Sequence, residues 1–412
     1  MRKIAQFIFI ILIINSGISG ADQNQNIFSV KGFGTFAGTG TDTDKIGFRR
    51  NISSDNGVGS SWDIVTDSRL GIQIDAKVNE KLSGTFQWTA RDRVGDFFEQ
   101  NLDLAFLKWH VLPDLAIRFG RMSTDVFMLS DHRNVGYAYP WMRPPHEFYA
   151  NIPLFHYDGV DITKKIALND GFLSIKTFGG FTYNQLPIMG GDIFDQKAVV
   201  FSGSVEYEKG NWRSRLGYSH LDLISNPPLQ QLYSAVKDPR LNAVWPSLDR
   251  LLPVLTVKDK VIHYGSIGVA YDDGLWLGQA EASYVGSDTV FFPDLASGYA
   301  SVGRRFSDVT LYSLFGISKS IDKKVNIPNP LIPAPNLLGL RSQIDQSVNY
   351  NGVDEKSISL GLRWDFLSNM AFKAQWSHFW LGNNGTQNWI ELEGQATPNE
   401  VNVFSVGVDF LY

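Results

Sequence analysis

Seven histidines are the side chains best suited to proton transfer or metal ligation near neutral pH. They are scattered: His110, His132, His146, His156, His220, His263 and His378. The chain has no cysteine, which removes disulfides, thiolate metal sites and thiol nucleophiles together. A serine hydrolase needs Ser, His and an orienting acid or amide within hydrogen-bond reach. Ser377 directly precedes His378, but neighbours in a strand project to opposite faces, and no His lies in a nucleophile motif. His132, His146 and His156 share one segment, at spacings of 14 and 10 that match no metal-ligand pattern. Gly32-x-Gly34 lies in a strand pattern, where glycine marks a bulge or close backbone approach and not a phosphate cradle. The formal charge of −5 speaks against nucleic acid. The residues therefore give no catalytic set, no metal site and no cofactor. A hydrolase using His220, Ser377 and His378 is the enzymatic alternative.

The densest chemistry lies between Arg121 and Gly159, a stretch crowded with aromatic residues, prolines and charges. Its charged candidates are Asp125, Asp131, Arg133, Arg143, His146, Glu147 and Asp158. A long loop so rich in packing groups is ordered and functional. Opposed acids and bases on it would set a transverse field across a narrow passage and sort ions. The alternative is packing on a rim or against another subunit.

The elements around that segment alternate with period 2, the mark of a strand with two unlike faces. Leu70, Ile72, Ile74, Ala76 and Val78 share one face, opposite Arg69, Gln73, Asp75 and Lys77. Ile358, Leu360, Leu362, Trp364 and Phe366 do the same opposite Ser357, Ser359, Arg363 and Asp365. About 16 such segments of about 9–12 residues can be counted, the length of a tilted membrane strand. They lie near 27–37, 62–78, 81–91, 101–111, 115–122, 157–166, 172–182, 197–208, 211–220, 260–271, 275–285, 295–304, 309–319, 356–366, 370–380 and 401–412; the parity of 101–111 and 260–271 is ambiguous. Connections alternate between short turns, such as Asp272-Asp273-Gly274, and long loops, such as 123–156, 221–259 and 320–355. That alternation fits an all-β transmembrane antiparallel barrel with short periplasmic turns and long extracellular loops. Loop 221–259 contains a helical pattern near Leu229 to Val236.

A ring of that size is too wide for side chains to fill, so its interior must be wet or plugged. The apolar face then looks to lipid and the polar face inward. Trp62, Trp109, Trp212, Trp276, Phe366 and Tyr412 fall near strand ends, where interfacial aromatic girdles sit. Parity places Arg69, Lys77, Arg91, Arg118, Arg213, Arg215, Arg363 and Lys373 on the lumen wall, against Asp75, Glu281, Asp365 and Asp409. The excess of bases points towards anions and acidic small molecules; a solvated wall without preference is the alternative.

The N-terminus reads as a secretory leader. Arg2 and Lys3 precede a run from Ile4 to Ile14 that is apolar except for Gln6, followed by a Ser19-x-Ala21 cleavage site. Eleven residues are too few for a helical span, which takes about 20. Residues 1–21 are expected to be a signal peptide and 22–412 one barrel domain. Loss of Arg2 and Lys3 moves the formal charge from −5 to −7.

The final strand, VNVFSVGVDFLY, resembles the C-terminal assembly signal of bacterial outer-membrane barrels. That resemblance implies recognition of Phe404, Val408, Phe410 and Tyr412 by the barrel assembly machinery. The third long loop resembles, in position and length, the loop that narrows the lumen of trimeric general porins, and Tyr137 to Pro145 is similar to a stretch of porin-like proteins. The resemblance implies a 16-stranded porin in the Gram-negative outer membrane, surrounded by lipid. It also implies a homotrimer that passes small hydrophilic solutes by passive diffusion. A non-conducting surface receptor or adhesin is the other reading.

Overall fold

In the computed structural model, residues 27–188, 192–246, 248–289, 291–321, 325–349, 351–391 and 397–412 are described; the expected signal peptide, 1–21, lies outside them. The strands are β1 (Phe28–Thr41), β2 (Ile46–Phe48), β3 (Arg69–Lys77), β4 (Leu82–Ala90), β5 (Leu102–Leu112), β6 (Leu115–Ser123), β7 (His156–Leu168), β8 (Gly171–Pro187) and β9 (Ile193–Lys209). They continue as β10 (Trp212–Leu223), β11 (Val261–Asp272), β12 (Trp276–Ser287), β13 (Leu295–Phe306), β14 (Val309–Ser320), β15 (Val353–Leu367), β16 (Met370–Thr386), β17 (Trp389–Glu391) and β18 (Glu400–Leu411). All except β2 and β17 join one closed antiparallel barrel of 16 strands, sealed where β1 pairs with β18 from Phe33↔Leu411 to Thr41↔Val403. β2 and β17 pair with each other as a separate two-stranded sheet. Each alternating segment expected from the sequence corresponds to one barrel strand.

Closure satisfies the backbone groups that an open sheet edge would leave bare in hydrocarbon. The faces divide as the alternation requires. Leu107, Phe119, Ile162, Phe201, Leu216, Ile267, Val302, Leu311 and Leu360 are exposed on the outside. The Leu70–Ile72–Ile74 row pairs with Gly34, Gly32 and Val30, on the same face as the exposed Phe28 and Val30. Trp109, Trp212, Trp276, Trp364 and Tyr412 are exposed at the short-turn end. There the Trp212 and Tyr271 rings lie 4.7 Å apart, and the Arg304 guanidinium sits 5.0 Å over Trp276.

Three places depart most from the sequence reading. The segment from Trp62 does not run straight into β3. The Asp63 carboxylate accepts the Val65 and Thr66 amides at 2.8 and 2.7 Å, a local turn that delays the strand. Trp62 then lies against Gly38 and Gly40 on the outside of β1. The β8–β9 hairpin extends into the expected loop 183–196, to Pro187 on one strand and from Ile193 on the other, held by Tyr183 and Gln185 side chains donating to Asp195 at 3.0 and 2.9 Å. In loop 320–355, Pro335–Asn349 forms a helix that alternation did not reveal.

The long-loop end has its own cores. The expected helix forms over Gln230–Lys237. A second, Pro239–Val244, starts with Pro at its first position and an Asp238 cap on the Arg240 amide at 2.8 Å. With Pro335–Asn349 these bury Val236, Trp245, Leu248, Leu255, Ile327 and Ile344. The β2–β17 sheet buries Ile46, Phe48 and Trp389 against Phe379, Val401 and Val403.

Ile267 lies midway along β11 on the outer face. Ile267→Arg is expected to cost about 2–4 kcal/mol, the penalty for a midplane arginine facing lipid. It would appear as a lower urea midpoint in vesicles; an unchanged midpoint would mean that this face does not meet hydrocarbon.

Candidate functional site

The third long loop, 124–155, leaves β6 and turns into the barrel. Ser130 Oγ accepts the Val126 and Phe127 amides at 3.1 and 2.8 Å and curls the first limb. The chain then passes a short helical turn, Gly136–Ala138, and returns through the helix His146–Tyr149. Phe127, Leu129, Tyr139, Trp141, Phe148, Tyr149 and Leu154 pack against the inward Tyr157, Phe178, Val200, Tyr264, Tyr299 and Tyr312 in one buried cluster. Fully burying one large apolar side chain is worth about 1.5–3 kcal/mol, so this cluster drives insertion.

Polar anchors fix its position. On the first limb, Asp125 pairs with Arg215 at 3.0 Å and Lys176 at 3.2 Å, and takes Ser204 Oγ at 3.2 Å. Burial alone would raise the Asp125 carboxyl; Lys176 and Arg215 outweigh it and hold it below its ordinary value. The Met128 amide donates to Glu281 at 2.9 Å, and Tyr299 OH donates to the same carboxylate at 2.6 Å. At the tip, the Lys373 ammonium sits among the carbonyls of Gly136, Tyr139 and Trp141 at 2.7, 2.7 and 2.9 Å, with Asp409 at 2.7 Å. Arg363 donates to the Tyr137 carbonyl at 2.7 Å and Arg69 to Tyr139 OH at 2.8 Å. A Cβ on Gly136 would lie 2.2 Å from Asp409 and 2.6 Å from Arg69 and Thr35, so only glycine lets the tip come this close. Trp141 Nε1 donates to Ser301 at 2.8 Å.

The return limb meets a buried acid from the first loop. Arg143 Nε donates to Asp67 at 3.0 Å and its other arm binds Asp67 and Ser405, while Arg50 reaches Asp67 at 2.6 Å. Burial raises the Asp67 carboxyl, and the two guanidiniums more than reverse that, holding it well below the usual carboxylate range. His146 is boxed by the Phe48, Phe379 and Trp389 rings, with its nitrogens at 2.9 Å from the Arg49 carbonyl and 3.4 Å from Glu355. Glu147 is fully buried and presses into the space a Cβ on Gly316 would occupy. Burial first, then the charge of Glu355, pushes its carboxyl above the ordinary value.

These placements revise the sequence reading residue by residue. Of the loop's constriction candidates Asp131 is exposed, whereas Asp125, Arg133, Arg143, His146 and Glu147 are buried. They fasten the loop, and Asp125 also borders the cavity beneath it. Arg133 donates to the Leu154 carbonyl at 2.9 Å and lies over Phe155, and burial pulls it down to about 10. Asp158 lies on the outer face, paired with Arg121 at 2.8 Å. The eight wall bases point inward by register, but most are committed: Arg69, Arg215, Arg363 and Lys373 hold the loop, Arg91 pairs with Asp103 and Arg118 with Asp161. Lys77 sits at the rim beside Glu80. Arg213 remains. The sequence reading missed Asp67, Asp103, Lys108, Asp161, Lys165 and Lys176. Fixing the parity of β5 from its pairing with Arg118 would have found Lys108. Phe404, Val408, Phe410 and Tyr412 share the outer face of β18. His220 and His263 meet across β10 and β11 with ring centroids 5.1 Å apart, and among the described residues no three His, Asp or Glu side chains are grouped to hold a metal.

Below the first limb lies a cavity of about 670 Å³, lined by Phe106, Lys108, Arg118, Asp131, Lys165, Glu206 and Arg213 among others. Arg213 also borders a second cavity of about 320 Å³, beside Trp141, Arg305, Arg363 and Asp365. Both reach residues next to the short turns, such as Asp114 and Asp272.

No family model and no curated protein matches the sequence. Solved structures match the fold. An anion-selective porin from Comamonas acidovorans aligns at TM-score 0.53 and 11% identity, over 93% of this chain and 99% of that one. OmpF of Salmonella typhi, in complex with daunomycin, aligns at 0.52 and 14%, over 93% and 97%. The outer membrane channel DcaP of Acinetobacter baumannii aligns at 0.51 and 10%, over 96% and 100%. The architecture is that of the porin-like barrels of the bacterial outer membrane.

Two outcomes follow from the anchors. Arg143→Ala leaves Asp67 buried beside a single guanidinium and is expected to lower stability by about 3–5 kcal/mol, measured by the midpoint of the heat-dependent gel-mobility shift. For Glu147 the folded carboxyl titrates above the unfolded one. Its stabilising share is therefore complete below the unfolded value and is lost as pH rises through the raised folded value. Glu147→Gln should match the parent in acid and exceed it at higher pH in the same melts; parallel pH profiles would contradict this.

Proposed function

We propose that the protein is a passive diffusion channel of the outer membrane for small hydrophilic solutes, with the inserted loop setting its cross-section. The observation that carries the reading is the loop itself. It crosses the lumen and is tied to the walls at Asp125, Trp141 and Lys373, while a charged cavity remains beside it. The outward apolar band and closed ring suit a bilayer, and the fold shared with porins supports the same reading. Width and fixed charge would then set selectivity, without a chemical step. The lean to anions rests less on the eight wall bases than on Lys108, Lys165 and Arg213, which border the cavity without an ion pair among the described residues.

The sequence resemblance extends this reading to a homotrimer, tested by sedimentation in detergent, and to assembly-machinery recognition of the last strand. A receptor or adhesin is the second reading. The layer in which the helices Gln230–Lys237 and Pro335–Asn349 share a buried core around Trp245 and Ile344 favours it, because such a surface can hold a partner.

Purified protein in planar bilayers should give discrete conductance steps, and a salt gradient should give a reversal potential of anion-preferring sign. Lys373→Met removes the ammonium that gathers the tip carbonyls and should raise step size and open-state noise. A parent protein that inserts without conducting would defeat the channel and leave the receptor reading standing.

A further inference from the structure

The 670 Å³ cavity is more specific than a wet wall requires. Six bases border it: Lys108, Arg118, Lys165, Lys176, Arg213 and Arg215. Arg118 is spent on Asp161 at 2.6 Å, and Lys176 and Arg215 share the single carboxylate of Asp125. Asp114 is answered by Lys164 at 2.5 Å. Asp131 and Glu206 also border the cavity, without an ion pair within 4 Å among the described residues. Against the four acids Asp125, Asp131, Asp161 and Glu206, the six bases leave a surplus of two positive charges.

That surplus is concentrated on side chains free to turn to a ligand. Lys108 on β5, Lys165 on β7 and Arg213 on β10 make no side-chain hydrogen bond or ion pair among the described residues, and each is partly or fully exposed to the cavity. They approach from three strands, under a ceiling formed by the loop at Met128, Ser130 and Asp131. Low-dielectric walls focus the field of such charges into the cleft. A guanidinium offers a planar fork to two oxygens and the ammoniums add point charges. Arg213 also faces the neighbouring cavity, so a ligand held there sits where the two compartments meet.

We infer that this cavity is a binding site for a compact doubly charged oxyanion, of phosphate or short dicarboxylate type, held by Arg213, Lys108 and Lys165. The inference shares the water-filled lumen of the proposed function but does not need conduction, because binding is read at equilibrium.

The test is calorimetric titration of the full-length barrel in neutral detergent at low salt, with hydrogen phosphate, succinate and formate as probes. Hydrogen phosphate or succinate should bind and formate should bind at least about tenfold more weakly. Arg213→Gln and the double variant Lys108→Gln, Lys165→Gln should each weaken the dianion by about tenfold or more, the effect of losing one charge-assisted contact. The three side chains have no partners to orphan, and the heat-dependent gel shift verifies folding. Phosphate binding without succinate assigns the site to tetrahedral oxyanions; binding of both assigns it to charge and spacing. The inference is overturned if neither dianion binds, if formate binds equally well, or if folded variants keep the parent affinity. Conductance without dianion binding would sink this inference alone; binding without conductance would sink the channel alone.

Discussion

A barrel in hydrocarbon has no solvent to satisfy its backbone, and every other feature of this protein is arranged around that constraint. The seam between β1 and β18 turns a sheet with two bare edges into a ring with none. Once the ring exists, period-2 alternation forces one set of side chains outward and the other inward. The outward set can be greasy without cost. The inward set faces a space too wide for wall side chains to fill. The third loop answers that excess of room with its own aromatic residues.

Filling the lumen with a loop changes what the wall charges do. In an open ring, inward bases and acids would be solvated and would act on whatever passes. Here Lys373, Arg363, Arg69 and Arg215 are turned to backbone carbonyls, a phenol and a loop carboxylate. Desolvation makes such groups expensive unless paired, and the loop supplies the partners. Electrostatic lining and structural fastening thus compete for the same side chains. What remains for solutes is the smaller group on the side the loop leaves clear.

Strand number, facing and turn positions were legible because each rests on a local signal: alternation in apolar rows such as Ile358–Leu360–Leu362, and turn residues such as Asp273-Gly274. The hairpin at Tyr183 and Asp195 ran longer than expected because cross-strand side-chain contacts outweighed a loop-like composition. The site was legible in part. The loop's density of aromatic residues marked it as packed, and parity put Arg69, Arg213 and Lys373 on the inner wall. Parity could not say which of them would be spent. That depends on contacts such as Asp67 with Arg143 and Glu355 with His146, which join residues 76 and 209 positions apart. Register shifts at Gln87/Trp88 and His110/Leu112 also blurred the alternation around β5, and with it Lys108.

The seam has a temporal consequence. The tip of the third loop is caged by residues on β16, β18 and β1, more than 230 positions later in the chain in the case of Lys373. Its lodging place does not exist until the last strand has arrived and met the first. Contacts at such separation form late and slowly. Biogenesis must therefore carry an aromatic-rich segment through an unfinished cylinder, screened from other chains, and bring it home only as the cylinder shuts.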